Sequence, residues 1–364
     1  MNATTLTGSP ARQGRMEQLQ FLRFLAFFNV FVTHADTLVF FKYPHTHCGY
    51  AAVSFFFVLS GLLSGYSLYG KPISLKPRDQ VTYLWRKIRK LYPLYFATLL
   101  LALCHQAIPE VIISRDFAAL SVHLRQLVKN LLLVQAWFPG GQLSFNGVGW
   151  FLSALLFLYA LNLPAGWILE KLHRHPKKYW FFSIAILGIL GVTVVYCYLT
   201  QKLDMYYWHL VFPPARMGEY LAALILGYML RSLDLPNRKI PVKPFFFTLL
   251  EAAVLVYWFI AFHRPGNYWR NLIVSWLIPD FALCIVFLLG RGWISRLFRW
   301  KPLVRLGDAS FECYLIHGLI LIEYLSYHPN AVHTTLDQAV GFTLCLLMSV
   351  VFALLLSKKP EKAR

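Results

Sequence analysis

The stretch Arg23-Phe-Leu-Ala-Phe-Phe-Asn-Val-Phe-Val-Thr-His34 decides how the rest of the chain is read. It sets an arginine and a histidine at either end of a mostly apolar run, and the run continues from Leu19 to Phe41. A helix needs roughly 20 residues at about 1.5 Å each to cross a bilayer, and this stretch supplies them. Eleven steps of about 100° make roughly three turns, so Arg23 and His34 share one face, roughly 16 Å apart along the axis. An arginine inside a membrane helix costs about 2.5–3.5 kcal/mol on insertion scales, so its default reading is a functional site. Two plainer readings compete: Arg23 snorkelling to the interface, and His34 as a hydrogen-bonded core histidine.

The composition fits a membrane protein. Of 364 residues, 58% are hydrophobic, 17% aromatic and only 14% charged, with a mean hydropathy of +0.52. Soluble domains carry about 25% charged residues. The expected fold class is all-α: a polytopic bundle of about ten transmembrane helices with both termini cytoplasmic. The expected crossings are 18–41, 48–69, 85–107, 147–170, 179–200, 214–231, 244–262, 270–290, 309–327 and 336–357. Residues 1–17 and 358–364 read as cytoplasmic tails around a membrane domain spanning 18–357, and residues 1–18 lack a cleavable-signal pattern.

Basic residues set the orientation. With the N-terminus inside, 26 of the 35 lysines and arginines fall in inside segments and 8 in outside ones. Positive-inside bias and contact with anionic lipid headgroups account for the net charge of +19 without nucleic acid. Residues 120–138 look helical but carry Arg125 and Lys129; they read as an interfacial or re-entrant helix, with an eleven-crossing topology as the competitor. The six cysteines are scattered without CxxC spacing and read as inert thiols. No metal site and no permanently bound cofactor are expected.

Further motifs carry candidate chemistry. In Val53-Ser-Phe-Phe-Phe-Val-Leu-Ser-Gly61, small residues favour close helix packing over catalysis. Arg86 and Arg89, three apart, suit a phosphate-rich ligand or, as plainly, lipid headgroups. Trp150 in Asn146-Gly-Val-Gly-Trp150 suits a membrane interface or a sugar-stacking surface. Arg216 and Glu219 are spaced to pair; alternatively Glu219 accepts from His34 across helices. Ser310, Tyr314 and His317 fall on one face by spacings of four and three. Asp36, two residues after His34, points away from it, so any partner of His34 comes from another helix.

Taken together, these residues resemble the acyltransferase-3 family of membrane-bound acyltransferases. The resemblance rests on Arg23-x10-His34, the GYAAVSFFFVLSG stretch from Gly49, Arg86-x-x-Arg89 before Pro93, NGVGWFLS, PxxRxxE from Pro213 and SFECYLIH from Ser310, in the family's order. It implies about ten transmembrane helices, a bacterial inner-membrane location, and transfer of an acyl group from acyl-CoA, usually acetyl-CoA, to a hydroxyl of a carbohydrate or glycolipid acceptor. It implies His34 as the catalytic histidine, Arg23 as its companion, and Arg86 with Arg89 at the CoA end. Glu219 or Tyr314 is the expected orienting partner of His34; Trp150, Arg216 and His317 are candidates for the acceptor. Direct transfer and an acyl-enzyme both stay open. Many members carry a glutamate two residues after WSLS; here Ser153 is followed by Ala154 and Leu155, so that role does not carry over. No appended esterase-like domain is expected after Arg364. A glycan transporter or flippase is the rival function, and a non-catalytic scaffold a weaker one.

Overall fold

The computed structural model describes residues 16–38, 48–113, 117–203, 206–262, 277–328 and 334–357. Nearly all of both expected tails, the end of the first crossing beyond Leu38 and the start of the eighth before Leu277 lie outside them. Among the described residues every regular element is helical. The principal helices are α1 (Gln18–His34), α2 (Cys48–Leu68), α3 (Pro77–Ala102), α4 (Ile108–Ile113), α5 (Phe117–Leu131), α6 (Trp150–Ala160), α7 (Asn162–His173) and α8 (Lys178–Lys202). They continue as α9 (Tyr206–Leu210), α10 (Met217–Ser232), α11 (Pro244–Phe262), α12 (Ile278–Leu289), α13 (Trp293–Phe298), α14 (Lys301–Asp308), α15 (Ser310–Tyr327) and α16 (Thr335–Leu356).

Among the described residues, six helices are long and apolar enough to cross a membrane: Gly49–Leu68, Pro77–Val111, Gly147–His173, Lys178–Thr200, Pro244–Ala261 and Thr335–Leu356. Each of the ten expected crossings holds a helix, but the others fall short by this measure. α1 has 17 residues, α10 has 16 and α12 has 12, while α15 has 18 but is not apolar enough. The 15-residue α5 is also shorter than a crossing needs.

The bundle is layered. α2 is its axis: 83% of its apolar window is buried, against 17% for α8. α1 and α10 flank α2, and α15 closes over α1. The outer helices turn large apolar side chains outward, including Val192 on α8, Leu249 on α11 and Leu355 on α16. Outward apolar faces belong in lipid, where each helix satisfies its own backbone hydrogen bonds. The α2–α10 contact depends on missing side chains. A Cβ on Gly61 would fall on the Tyr220 carbonyl oxygen, and one on Gly65 on that of Leu224. The packing role read for the α2 motif is the one its glycines play.

The α6–α7 break also has a local cause. Pro164 has no N–H, so it cannot bond the Ala160 carbonyl four residues back. The Gln80 side-chain amide donates to that carbonyl instead. Asn162, fully buried at the break, donates to the Tyr83 hydroxyl at 2.7 Å and accepts from the Tyr220 hydroxyl at 2.8 Å. One polar residue thereby ties α7 to α3 and α10.

Candidate functional site

α1 runs between two cavities. At its C-terminal end, a cavity of about 380 Å³ is lined by Thr33, His34, Tyr50, Asn146, Trp150 and Tyr314, among apolar neighbours. Nearer its N-terminal end, a second cavity of about 310 Å³ is lined by Arg23, Ser60, Lys87, Tyr159, Ser310 and Tyr314, again among apolar neighbours. Tyr314 lines both. Its ring packs edge-on against Phe56 at 6.2 Å and Phe151 at 5.4 Å, and Phe56 meets Phe151 at 6.1 Å. These three rings form a septum, and the Tyr314 hydroxyl donates to the Val148 carbonyl at 3.2 Å.

His34 is the last residue of α1 and is exposed in its cavity. Its Nδ1 lies 2.7 Å from Nε2 of His317, with the two rings stacked at 5.0 Å. His317 is fully buried, and its Nδ1 lies 3.2 Å from the Cys313 carbonyl oxygen. A carbonyl only accepts, so Nδ1 of His317 carries hydrogen and, with both rings neutral, its Nε2 accepts. Nδ1 of His34 therefore donates, and Nε2 of His34 keeps a free lone pair. One backbone oxygen thus fixes two tautomers.

This pairing differs from the sequence expectation. Glu219 does not orient His34: its carboxylate accepts from Ser54 at 2.5 Å and from Arg216 at 3.2 Å. Tyr314 does not either; its hydroxyl is held by Val148. His317, expected as an acceptor contact, takes the orienting position. A pair 283 residues apart leaves no local spacing signal.

The Arg216–Glu219 pair is buried on both sides, at 1% and 3% side-chain exposure. The Arg216 guanidinium also donates to the Leu210 carbonyl at 2.8 Å and sits 5.8 Å from the Trp150 ring. A buried charge needs such partners, and this pair clamps α10 to α2 through Ser54. Trp150 has one side on this clamp and one on the His34 cavity.

The NGVG segment seats that cavity's wall. Phe145 has a left-handed backbone, with φ of 58°, which a bulky residue adopts only under constraint. Asn146 fastens the turn by donating to the Leu315 carbonyl at 2.9 Å.

Arg86 and Arg89 are exposed on α3 and line neither cavity. Lys87, between them, points inward, with Nζ 4.8 Å from the Tyr159 ring and 5.4 Å from the Tyr83 ring. Sequence reasoning passed over it. The signal was its helical spacing of four from Tyr83 and from Leu91.

Comparison with known proteins adds a family. The profile described as "Acyltransferase domain" (acyltransferase-3) matches residues 16–358. The acyltransferase MdmB of Streptomyces mycarofaciens is 26% identical over 344 residues, covering 86% of this chain and 80% of that protein. No solved structure matches.

Proposed function

From the premise that the chain belongs to the acyltransferase-3 family, we propose that it moves an acyl group, acetyl in the simplest case, from acyl-CoA to a hydroxyl of a carbohydrate or glycolipid. Acyl transfer in a membrane bundle is the family's property and fits the apolar helices. The donor, the acceptor and the sidedness are this proposal's own.

The observation that carries the chemistry is the chain from the Cys313 carbonyl through His317 to His34. It leaves the Nε2 lone pair of His34 for an acceptor hydroxyl in the 380 Å³ cavity. Nε2 takes the hydroxyl proton as the oxygen attacks the thioester carbonyl. The tetrahedral adduct then collapses, the C–S bond breaks, and the proton returns from His34 to the departing sulfur. No serine or cysteine lines this cavity among the described residues, which favours direct transfer over an acyl-serine or acyl-cysteine.

Arg23 lines the other cavity, so its part is to hold the donor. The excess of basic residues in the loops on that side favours the cytoplasm for that end, where acyl-CoA is found. The Arg23 cavity is at the small end of the range for small-molecule sites. It suits the slender pantetheine arm, leaving the nucleotide outside near Arg86 and Arg89. The acyl end then meets His34 past the Tyr314 septum.

The test is acyl transfer from labelled acetyl-CoA to a glycan acceptor by purified protein in proteoliposomes. Wild type transfers label, and His34→Ala binds donor without transferring. Full transfer by His34→Ala ends the assignment. Movement of an unmodified glycan across the bilayer, with the thioester untouched, would favour the flippase reading instead.

A further inference from the structure

We propose that Lys87 and Ser310 form a donor subsite inside the Arg23 cavity, Lys87 taking a phosphate of the donor and Ser310 a polar group of its uncharged arm. The inference rests on the donor reading above; the motifs passed over Lys87 and gave Ser310 no role.

Lys87 is half-buried, and among the described residues no carboxylate lines the cavity it faces. Among the described residues it has no hydrogen bond or ion pair. Two aromatic faces hold it instead, those of Tyr83 and Tyr159. A ring face steadies an ammonium without neutralising it. The three N–H groups thus keep their charge for an anion. Arg23 lines the same cavity from α1, and Lys71 and Lys90 lie close enough to act on Lys87 electrostatically. Glu312 lies close enough to interact with Arg23, and the four cations outnumber it, which favours an anionic ligand.

A second observation points into the same space. Ser310 is fully buried, lines the cavity, and its Oγ has no hydrogen-bond partner. A buried hydroxyl left unpaired is costly, and most find a partner. Ser310 stands four residues before Tyr314 on α15 and lines the same cavity as Lys87. A ligand with a phosphate followed by a polar, uncharged chain can satisfy both groups within that one cavity. The phosphopantetheine arm of an acyl-CoA has that composition.

Two donors distinguish the subsites: acetyl-CoA, and S-acetylpantetheine, which has no phosphate. Binding and kcat/KM are measured for both, with the full-length protein in nanodiscs. Lys87→Met is expected to weaken acetyl-CoA about tenfold or more and to leave S-acetylpantetheine unchanged. Lys87→Arg restores most of the acetyl-CoA affinity. Ser310→Ala weakens both donors by a similar, smaller factor. Equal losses for both donors in Lys87→Met, with Lys87→Arg no better, indicate a packing role and overturn the inference. So does an unchanged acetyl-CoA affinity in a variant that melts like wild type. Wild type binding neither donor overturns the acyl-CoA reading itself, and this subsite with it.

Discussion

The two cavities are similar in size and opposite in chemistry. The His34 cavity has one base, and its protonation pattern is set by a hydrogen-bond chain that ends on a backbone carbonyl. Among the described residues, the Arg23 cavity has two cations, serine hydroxyls and no carboxylate. The first suits the proposed proton transfer, the second a negatively charged ligand. α1 supplies a residue to each, eleven positions apart, and Tyr314 is their common wall. Keeping the cations away from the histidine has a physical benefit. A positive charge beside His34 would favour its unprotonated form but weaken it as a base.

Substitutions that act on one cavity alone can break this comparison. The largest effect is expected for His34→Ala: kcat falls by about 10²–10⁴, with acetyl-CoA affinity held within about threefold by isothermal titration. A matching loss of donor binding would mean that the cavities do not divide the work. His317→Leu comes next. It leaves Nδ1–H of His34 without an acceptor, so kcat should drop about 10–100-fold with KM steady. His317→Gln, whose amide oxygen can accept that hydrogen, should regain part of the loss; equal rates for the two variants would remove His317 from the orienting role. Arg23→Gln should weaken acetyl-CoA about tenfold with kcat little changed. A kcat defect larger than the binding defect would place Arg23 in the chemistry. The smallest effect is expected for Arg86→Gln with Arg89→Gln, exposed outside both cavities: acetyl-CoA affinity should fall less than in Arg23→Gln. A larger fall would move the main phosphate contact to the surface.

How much of this was legible in the sequence follows from how far each signal reaches. The three-turn spacing of Arg23 and His34 is local geometry, and it put one residue at each cavity. The Ser310, Tyr314 and His317 face is local as well: Ser310 and Tyr314 line the Arg23 cavity, and the Tyr314 ring packs 5.9 Å from His317. The Gly61 packing role followed from side-chain size. The His34–His317 contact joins α1 to α15 and depends on tertiary packing. Spacing favoured Arg86 with Arg89 because they are three apart, but which face of α3 turns inward is set by its neighbours, and that face carries Lys87. The count of crossings was read from apolar runs and from the charges on residues 120–138. α1 and α10 are shorter than a bilayer needs and sit against α2 in the middle of the bundle, so their lengths answer to packing as much as to membrane thickness.

Sidedness of transfer separates a reaction that runs between the two cavities from one confined to a single cavity. Sealed proteoliposomes with one protein orientation receive acetyl-CoA only on the Arg23 side and a membrane-impermeant glycan only on the His34 side. Acetyl is expected on the glycan in the opposite compartment, and none with the two substrates exchanged. Label appearing only on glycan placed in the donor's own compartment would contradict a reaction that passes from one cavity to the other at Tyr314.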